Sequence, residues 1–262
     1  MIRAFNDANN QVLMRMTPAK FESNLPVGGL LRQALQKPDY LIVGAPAWMD
    51  RERYSITAKP PDGVPPTAIS VLMANLLKDR FQLATHVETR EQPIFNLVVV
   101  RADGRLGPDL KATSAECQAI ISERIGAAKA AAGCGDLPTL PSMPGPNDPL
   151  PCGFGRTISG SVAVSGRTVA QFVQTLSDLA RRPVIDKTGL TGRYDFALKF
   201  APDTAGSAIP LGLPPSTTPA VIDPDAPSLF TAVQEQLGLK LESARGPVEV
   251  VVIDRLEKPT LD

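Results

Sequence analysis

The chain has 262 residues, with 27 basic and 27 acidic side chains, 43% hydrophobic residues and 21% charged ones. That length can bury one large core or two small ones, and the balanced charge gives no bulk field to draw in nucleic acid or an anionic membrane. No apolar run approaches the roughly 20 residues that span a bilayer, and MIRAFNDANNQ lacks the apolar core of a leader peptide, so the chain reads as cytoplasmic or as a mature fragment given a new Met.

Taken in order, Val12–Met16 reads as a leading strand. Leu31 and Leu35 then recur at helical spacing, and Pro38 ends that helix because proline cannot continue the hydrogen-bond ladder. Tyr40–Val43 is a short apolar strand, GAPAWMDRERYSI (44–56) a turn, and Tyr54–Lys59 a strand with period-two alternation. Thr67 opens a second helix with Met73, Leu76 and Leu77 on its inner face. Gln92-Pro93 marks a hairpin turn, and IFNLVVV (94–100) is apolar enough for a well-covered strand.

Residues 105–155 change character. An Ala-rich helix at Ala115–Ala132 leads into CGDLPTLPSMPGPNDPLPCGFG, whose prolines read as an extended or disordered linker. All three cysteines, Cys117, Cys134 and Cys152, fall here without a CxxC pair, and the only histidine, His86, is remote, so a zinc site is disfavoured. Two readings stay open. One disulfide with a spare thiol, Cys117 to Cys152 being the candidate, implies an oxidising compartment; the other is three reduced thiols in a surface loop.

The second half repeats the grammar of the first. Thr157–Val164 is a leading strand, and Phe172, Val173, Leu176 and Leu179 mark a helix that Pro183 ends. Val184–Asp186 and Tyr194–Phe200 are strands joined by DKTGLTGRYDF, and a polar insert (203–224) separates them from a helix with Leu229, Val233 and Leu237, started by Asp225 or Ser228. Gly246-Pro247 marks another hairpin turn before VEVVVI (248–253). RYSITAK matches RYDFALK, LKDRFQL matches VQEQLGL, and ETREQPIFNLVVVR matches ESARGPVEVVVIDR without a gap. The expectation is α+β: two tandem αββαββ units, 11–104 and 156–258, each with helices on a small mixed sheet, around a 105–155 linker.

Lys187-Thr188-Gly189 has the signature that penicillin-binding enzymes carry on a strand beside their serine. No lysine here has a serine three positions before it, and Ser-Asp-Asn is absent. The repeat places the motif opposite residues 44–56, so it reads as a turn for which Gly189 and Gly192 supply φ > 0. His86 falls on a predicted strand facing solvent, Asp223 and Asp225 fit helix capping better than ion binding, and no Gly-x-Ser-x-Gly or phosphate loop occurs. No catalytic residue, metal or cofactor is assigned. Trp48, Tyr54, Arg193, Tyr194 and Asp195, at or beside the two matching turns, are the candidate binding residues.

GAPAWMDRERYSITAK, LLKDRFQLATHVETREQPIFNLVV, PVIDKTGLTGRYDF and SLFTAVQEQLGLKLESARGPVEVVVID together resemble the uncharacterised "soil-associated" bacterial domain family of unknown function, across about residues 28–258. The resemblance implies an extracytoplasmic protein, usually made with a signal peptide and sometimes attached to sensor-type membrane peptidases, with no established activity. Each repeat also looks like the short N-terminal domain of secretins and TonB-dependent receptors, a likeness of fold alone. The expected function is a non-catalytic, extracytoplasmic binding or interaction module, periplasmic or secreted. Its expected partner is a protein, peptide or envelope component rather than nucleic acid. A hydrolase-like enzyme with a site between the units, drawing on Arg193, Tyr194, Asp195 and His86, and a small-ligand sensor domain are the alternatives.

Overall fold

In the computed structural model, residues 1–5, 14–17, 20–59, 69–131, 149–158, 160–201 and 226–262 are described. They form an α+β protein, with five helices and three four-stranded sheets among those residues. They divide into two compact units: Met1–Gln92 with Pro247–Asp262, and the described residues between Pro93 and Gly246. These boundaries differ from the repeat limits 11–104 and 156–258, because each unit draws a strand from the far part of the sequence.

In chain order the first unit holds β1 (Ile2–Ala4), β2 (Met14–Met16), β3 (Phe21–Ser23), α1 (Val27–Leu35), β4 (Ile42–Val43), β5 (Tyr54–Ala58) and α2 (Ile69–Phe81), followed by the start of β6 (Ala84–Val99). One sheet runs β1-β5-β3-β2, antiparallel throughout, with Ile56 opposite both Ile2 and Ser23. Against it pack Val27, Leu30 and Leu31 of α1 and Met73, Leu77 and Phe81 of α2, the latter spaced to fall on one helical face. Neither helix ends at a glycine; left-handed Gln36 (φ 51°) and Gln82 (φ 53°) follow them.

The second unit takes the end of β6, then β7 (Leu110–Ala112), α3 (Ala115–Ala131), β8 (Gly155–Ile158), β9 (Ser161–Thr168), α4 (Val169–Ala180), β10 (Val184–Asp186), β11 (Arg193–Lys199), α5 (Leu229–Leu237) and the start of β12 (Leu239–Arg255). Its sheet runs β7-β11-β9-β8, also antiparallel. Thr168 starts α4 with a capping box: its hydroxyl accepts the Gln171 N–H at 3.3 Å, and Gln171 Oε1 accepts the Thr168 N–H at 3.0 Å. Ser228 caps α5 by accepting the Thr231 N–H, whereas Asp225, Thr67 and Val12 lie outside the described residues. Phe172, Leu176, Phe196, Leu198, Val233 and Leu237 build the core.

Two sequence expectations need correction. First, Gln92-Pro93 and Gly246-Pro247 do not turn: β6 and β12 run straight through them. A two-residue hairpin loop requires φ > 0, which neither Gln92 nor Gly246 adopts. The two strands are neighbours in a third sheet, ordered β10-β6-β12-β4. In the second unit β10 lies parallel to β6, with Asp186 opposite Leu97; in the first, β4 lies parallel to β12, with Ile42 opposite Val251. Leu97 and Val251 are the residues the ungapped match of 88–101 with 242–255 equates. Phe95 and Leu97 thus enter the core of the second unit, and Ile253 that of the first.

Second, residues 105–131 are not linker. β7 pairs with β11, Leu110 opposite Phe196, and Leu110, Cys117 and Ile121 are buried. The rest of the expected linker from 132 to 148, like the insert expected at 203–224, lies outside the described residues.

Candidate functional site

The two matched turns have different local architecture. In the first unit, residues 47–51 form a turn in which the Arg51 and Glu52 N–H groups donate to the Trp48 carbonyl at 3.1 and 2.8 Å. Trp48 is half-buried, with Lys258 Nζ 5.9 Å from its ring centroid. Lys258 also donates to Glu52 Oε1 at 2.5 Å, and the Tyr54 hydroxyl donates to Glu52 Oε2 at 2.7 Å. The Lys258 hydrogen bond, helped by that of Tyr54, lowers the Glu52 carboxyl below the usual carboxylate range. Burial, with the Glu52 hydrogen bond second, pushes the Tyr54 phenol up to about 12. Tyr54 also packs edge-on against Phe81 at 5.8 Å, so its ring belongs to the core.

In the second unit Lys187-Thr188-Gly189 lies in the loop after β10, not on a strand. Asp186 Oδ1 accepts from the Thr188 N–H at 2.8 Å and its hydroxyl at 2.7 Å, and the Thr188 hydroxyl accepts the Leu190 N–H. Gly189 (φ 70°) and Gly192 (φ 91°) supply the left-handed backbone. This is a side-chain-braced turn.

Arg193, Tyr194 and Asp195 begin β11. The Arg193 guanidinium donates to the Gly166 carbonyl at 2.7 Å, and Tyr194 packs half-buried on the core. Asp195 Oδ1 accepts from Gly166 N–H at 2.6 Å, Thr113 Oγ1 at 2.8 Å and Ser165 Oγ at 3.3 Å. These three bonds tie β11 to β9 and to Thr113, between β7 and α3. Beside this knot Cys117 and Cys152 form a disulfide, Cα atoms 5.4 Å apart, joining α3 to the turn before β8. Cys134 lies outside the described residues. Trp48 and Tyr54 therefore belong to the first unit, and Arg193, Tyr194 and Asp195 to the second. His86 is exposed on β6 with Nδ1 2.8 Å from Asp254 Oδ1.

Sequence reasoning missed a cleft of about 400 Å³ in the first unit, between α2 and the ends of β3 and β5. Phe21, Ile69, Leu72, Met73 and Leu76 line it, with Lys59, Asp79 and Arg80 at its margin. Arg80 is held by both carboxylate oxygens of Asp262, at 2.9 and 3.0 Å. Asp262 in turn accepts the Ile2 N–H, which with Arg80 holds its carboxyl low. A signal for the cleft was present: Ile69, Leu72 and Leu76 form an apolar stripe beside the buried stripe of Met73, Leu77 and Phe81. That apolar arc is wider than one core-facing side needs.

Among the described residues no group of three or more potential ligands gathers for a metal ion, and no helix is long and apolar enough to cross a membrane. No curated protein and no solved structure matches the chain. Residues 28–256, spanning both turns and every element after β3, match the family model described as "Protein of unknown function (DUF3738)", and the chain belongs to that family.

Proposed function

We propose that the chain is a non-catalytic binding module acting outside the cytoplasm, and that the cleft beside α2 receives its ligand. The cleft carries the reading: about 400 Å³ lies within the roughly 300–1,000 Å³ usual for ligand sites. Its apolar floor and charged margin suit an amphipathic partner, such as the apolar side chains of an extended peptide or of an envelope component. The Cys117–Cys152 disulfide supports an oxidising compartment, as does the resemblance to the soil-associated family.

The two units derive, in this reading, from one duplicated module of the kind that begins secretins and TonB-dependent receptors. Matching registers support it. Tyr54 lies opposite Ala4 and Ile56 opposite Ile2 in one unit, while Tyr194 lies opposite Ala112 and Phe196 opposite Leu110 in the other. Arg53 pairs with Pro26, the N-cap of α1, and Arg193 with Thr168, the N-cap of α4.

The test is thermal stabilisation of the full chain by a panel of amphipathic peptides and acylated envelope fragments. A probe that raises the melting temperature for the parent protein and not for Leu72→Arg supports the cleft. Stabilisation unchanged by Leu72→Arg, or turnover of any probe, would count against it.

A further inference from the structure

At its margin the cleft beside α2 meets a carboxylate that the chain itself supplies. Arg80, in the last turn of α2, lines that margin, and its Nη2 donates to Asp262 Oδ1 at 3.0 Å and Oδ2 at 2.9 Å. Asp262 Oδ2 also accepts the Ile2 N–H at 2.7 Å, and the Asp262 N–H donates back to the Ile2 carbonyl at 2.9 Å. The Met1 nitrogen lies 3.4 Å from the same oxygen. Ile2 lies on β1, an edge of the first unit's sheet, where the Met1 carbonyl turns inward to accept the Thr57 N–H. Backbone groups alternate sides along a strand, so those of Ile2 turn outward, and Asp262 occupies both. All these residues belong to the first unit.

We infer that the cleft binds the C-terminal end of a peptide, whose final carboxylate displaces Asp262 from Arg80 and Ile2 while apolar side chains just before it lie on Leu72 and Leu76. This rests on the cleft being the ligand site. The Arg80–Asp262 pair leaves 43% and 34% of its two side chains accessible; ion pairs so exposed add little to stability, so a competing carboxylate can exchange with it. The contacts say what the competitor carries. Asp262 presents an N–H and a carboxylate together, and Ile2 engages both. The last residue of a peptide carries the same two groups, one methylene closer together. A fatty acid offers the carboxylate but leaves the Ile2 carbonyl without its donor. Asp79 stands at the same margin, so the attraction is not net charge but the directed donors of Arg80 and Ile2. Strand addition to an edge and capture of a terminal carboxylate by backbone N–H are both established ways of holding a peptide. Asp262 sets a threshold: a ligand replaces it only by also filling the apolar floor.

The experiment is isothermal titration of the full chain with a short acetylated peptide ending in Leu-Ala-Leu, as the free acid and as the C-terminal amide. The acid should bind about tenfold tighter than the amide, the usual worth of hydrogen bonds to a charged group. Asp262→Asn, which weakens the internal competitor, should tighten the acid more than the amide. Arg80→Gln should abolish the difference between the two forms, and Leu72→Arg should weaken both. Equal binding of acid and amide, each weakened by Leu72→Arg, would overturn the carboxylate assignment and leave the cleft as the ligand site. An acid preference that survives Arg80→Gln, or that Asp262→Asn leaves unaltered, would overturn it as well. Dodecanoate binding tighter than the peptide acid would give the site to an acyl chain instead. Binding of neither peptide form, or binding indifferent to Leu72→Arg, would overturn the cleft reading and this inference with it.

Discussion

Arg53 and Arg193 each donate to a backbone carbonyl two residues before a helix N-cap, that of α1 and that of α4, Asn24 O at 3.1 Å and Gly166 O at 2.7 Å. The residues beside them behave differently. In the first unit Tyr54 reaches Glu52, which Lys258 near the chain end also holds. In the second, Tyr194 makes core contacts and the adjacent Asp195 gathers three donors next to a disulfide. What the two regions share is backbone bracing; what differs is the side-chain chemistry that holds the braced chain. The first unit relies on its C-terminal tail, the second on internal cross-links.

The sharpest way to break this comparison is to remove the tail. A chain ending at Gly246 loses Ile253 from the first core, the strand beside β4 and the Asp262 carboxylate that binds Arg80 and Ile2. The first unit should then unfold outright, since losing a strand and a core residue exceeds the usual 5–15 kcal/mol margin or consumes most of it. Hydrogen exchange should show α1 and α2 unprotected while α4 and α5 stay protected. If protection instead fell first in α4 and α5, the closing strand would belong to the unit nearest in sequence.

Cutting the second unit's cross-link comes next. Replacing Cys117 and Cys152 by serine opens a loop with a sequence separation of 35, which the chain-entropy account values at about 3–4 kcal/mol. The loss should appear in denaturant unfolding followed through the α4 and α5 amides. Emission from Trp48, the only tryptophan, should be unchanged below the transition, because it reports on the first unit.

Much of this architecture was legible in the sequence. Pro38 and Pro183 fixed the ends of α1 and α4, and Leu31, Met73, Leu77, Leu176 and Val233 fall in the cores as their spacing requires. The strand exchange was not legible, because proline is equally at home in a turn and in an extended strand whose donor is not needed there. Only the φ of Gln92 and Gly246 distinguishes the two outcomes, and composition does not encode it. The three-residue strands β1 and β7 were too short for periodicity to register. Of the candidate residues, the Arg-Tyr pairs were visible as a repeated motif, whereas the knot on Asp195 joins Thr113, Ser165 and Gly166 from distant stretches. The cleft was hidden for another reason: Leu72 and Leu76 look like core until the width of the apolar arc is counted.

A smaller effect separates the two tyrosines. Burial raises the Tyr54 phenol to about 12, above the value of about 10 it has in an unfolded chain. The folded state therefore holds its proton more tightly. The stability this contributes is fully present below pH 10 and is lost as pH rises from 10 towards 12. Tyr54→Phe should cost about 1 kcal/mol at neutral pH through the missing hydrogen bond to Glu52 and should flatten the first unit's decline in stability above pH 10. Equal alkaline slopes for parent and variant would show that Tyr54 does not govern that titration.

The smallest expected effect is a gain. Helices α2 and α5 end at positions the repeat equates, Gln82 with φ 53° and Gly238 with φ 69°. An L side chain in this left-handed region costs about 1–2 kcal/mol, a cost glycine avoids. At Gly238 the choice is forced twice over, since a Cβ there would lie 2.5 Å from the Gly107 nitrogen as well as requiring positive φ. At Gln82 the side chain is exposed, and its amide donates to the Asp79 carbonyl at 3.2 Å, so it returns part of the strain. Gln82→Gly should therefore stabilise the first unit by about 0.5–1 kcal/mol, the relieved backbone strain outweighing the lost exposed bond and the added freedom of the unfolded chain. Calorimetry would read this as a higher melting temperature for that unit alone. A destabilised Gln82→Gly would mean that the bond to Asp79 holds the end of α2 more firmly than its backbone conformation strains it.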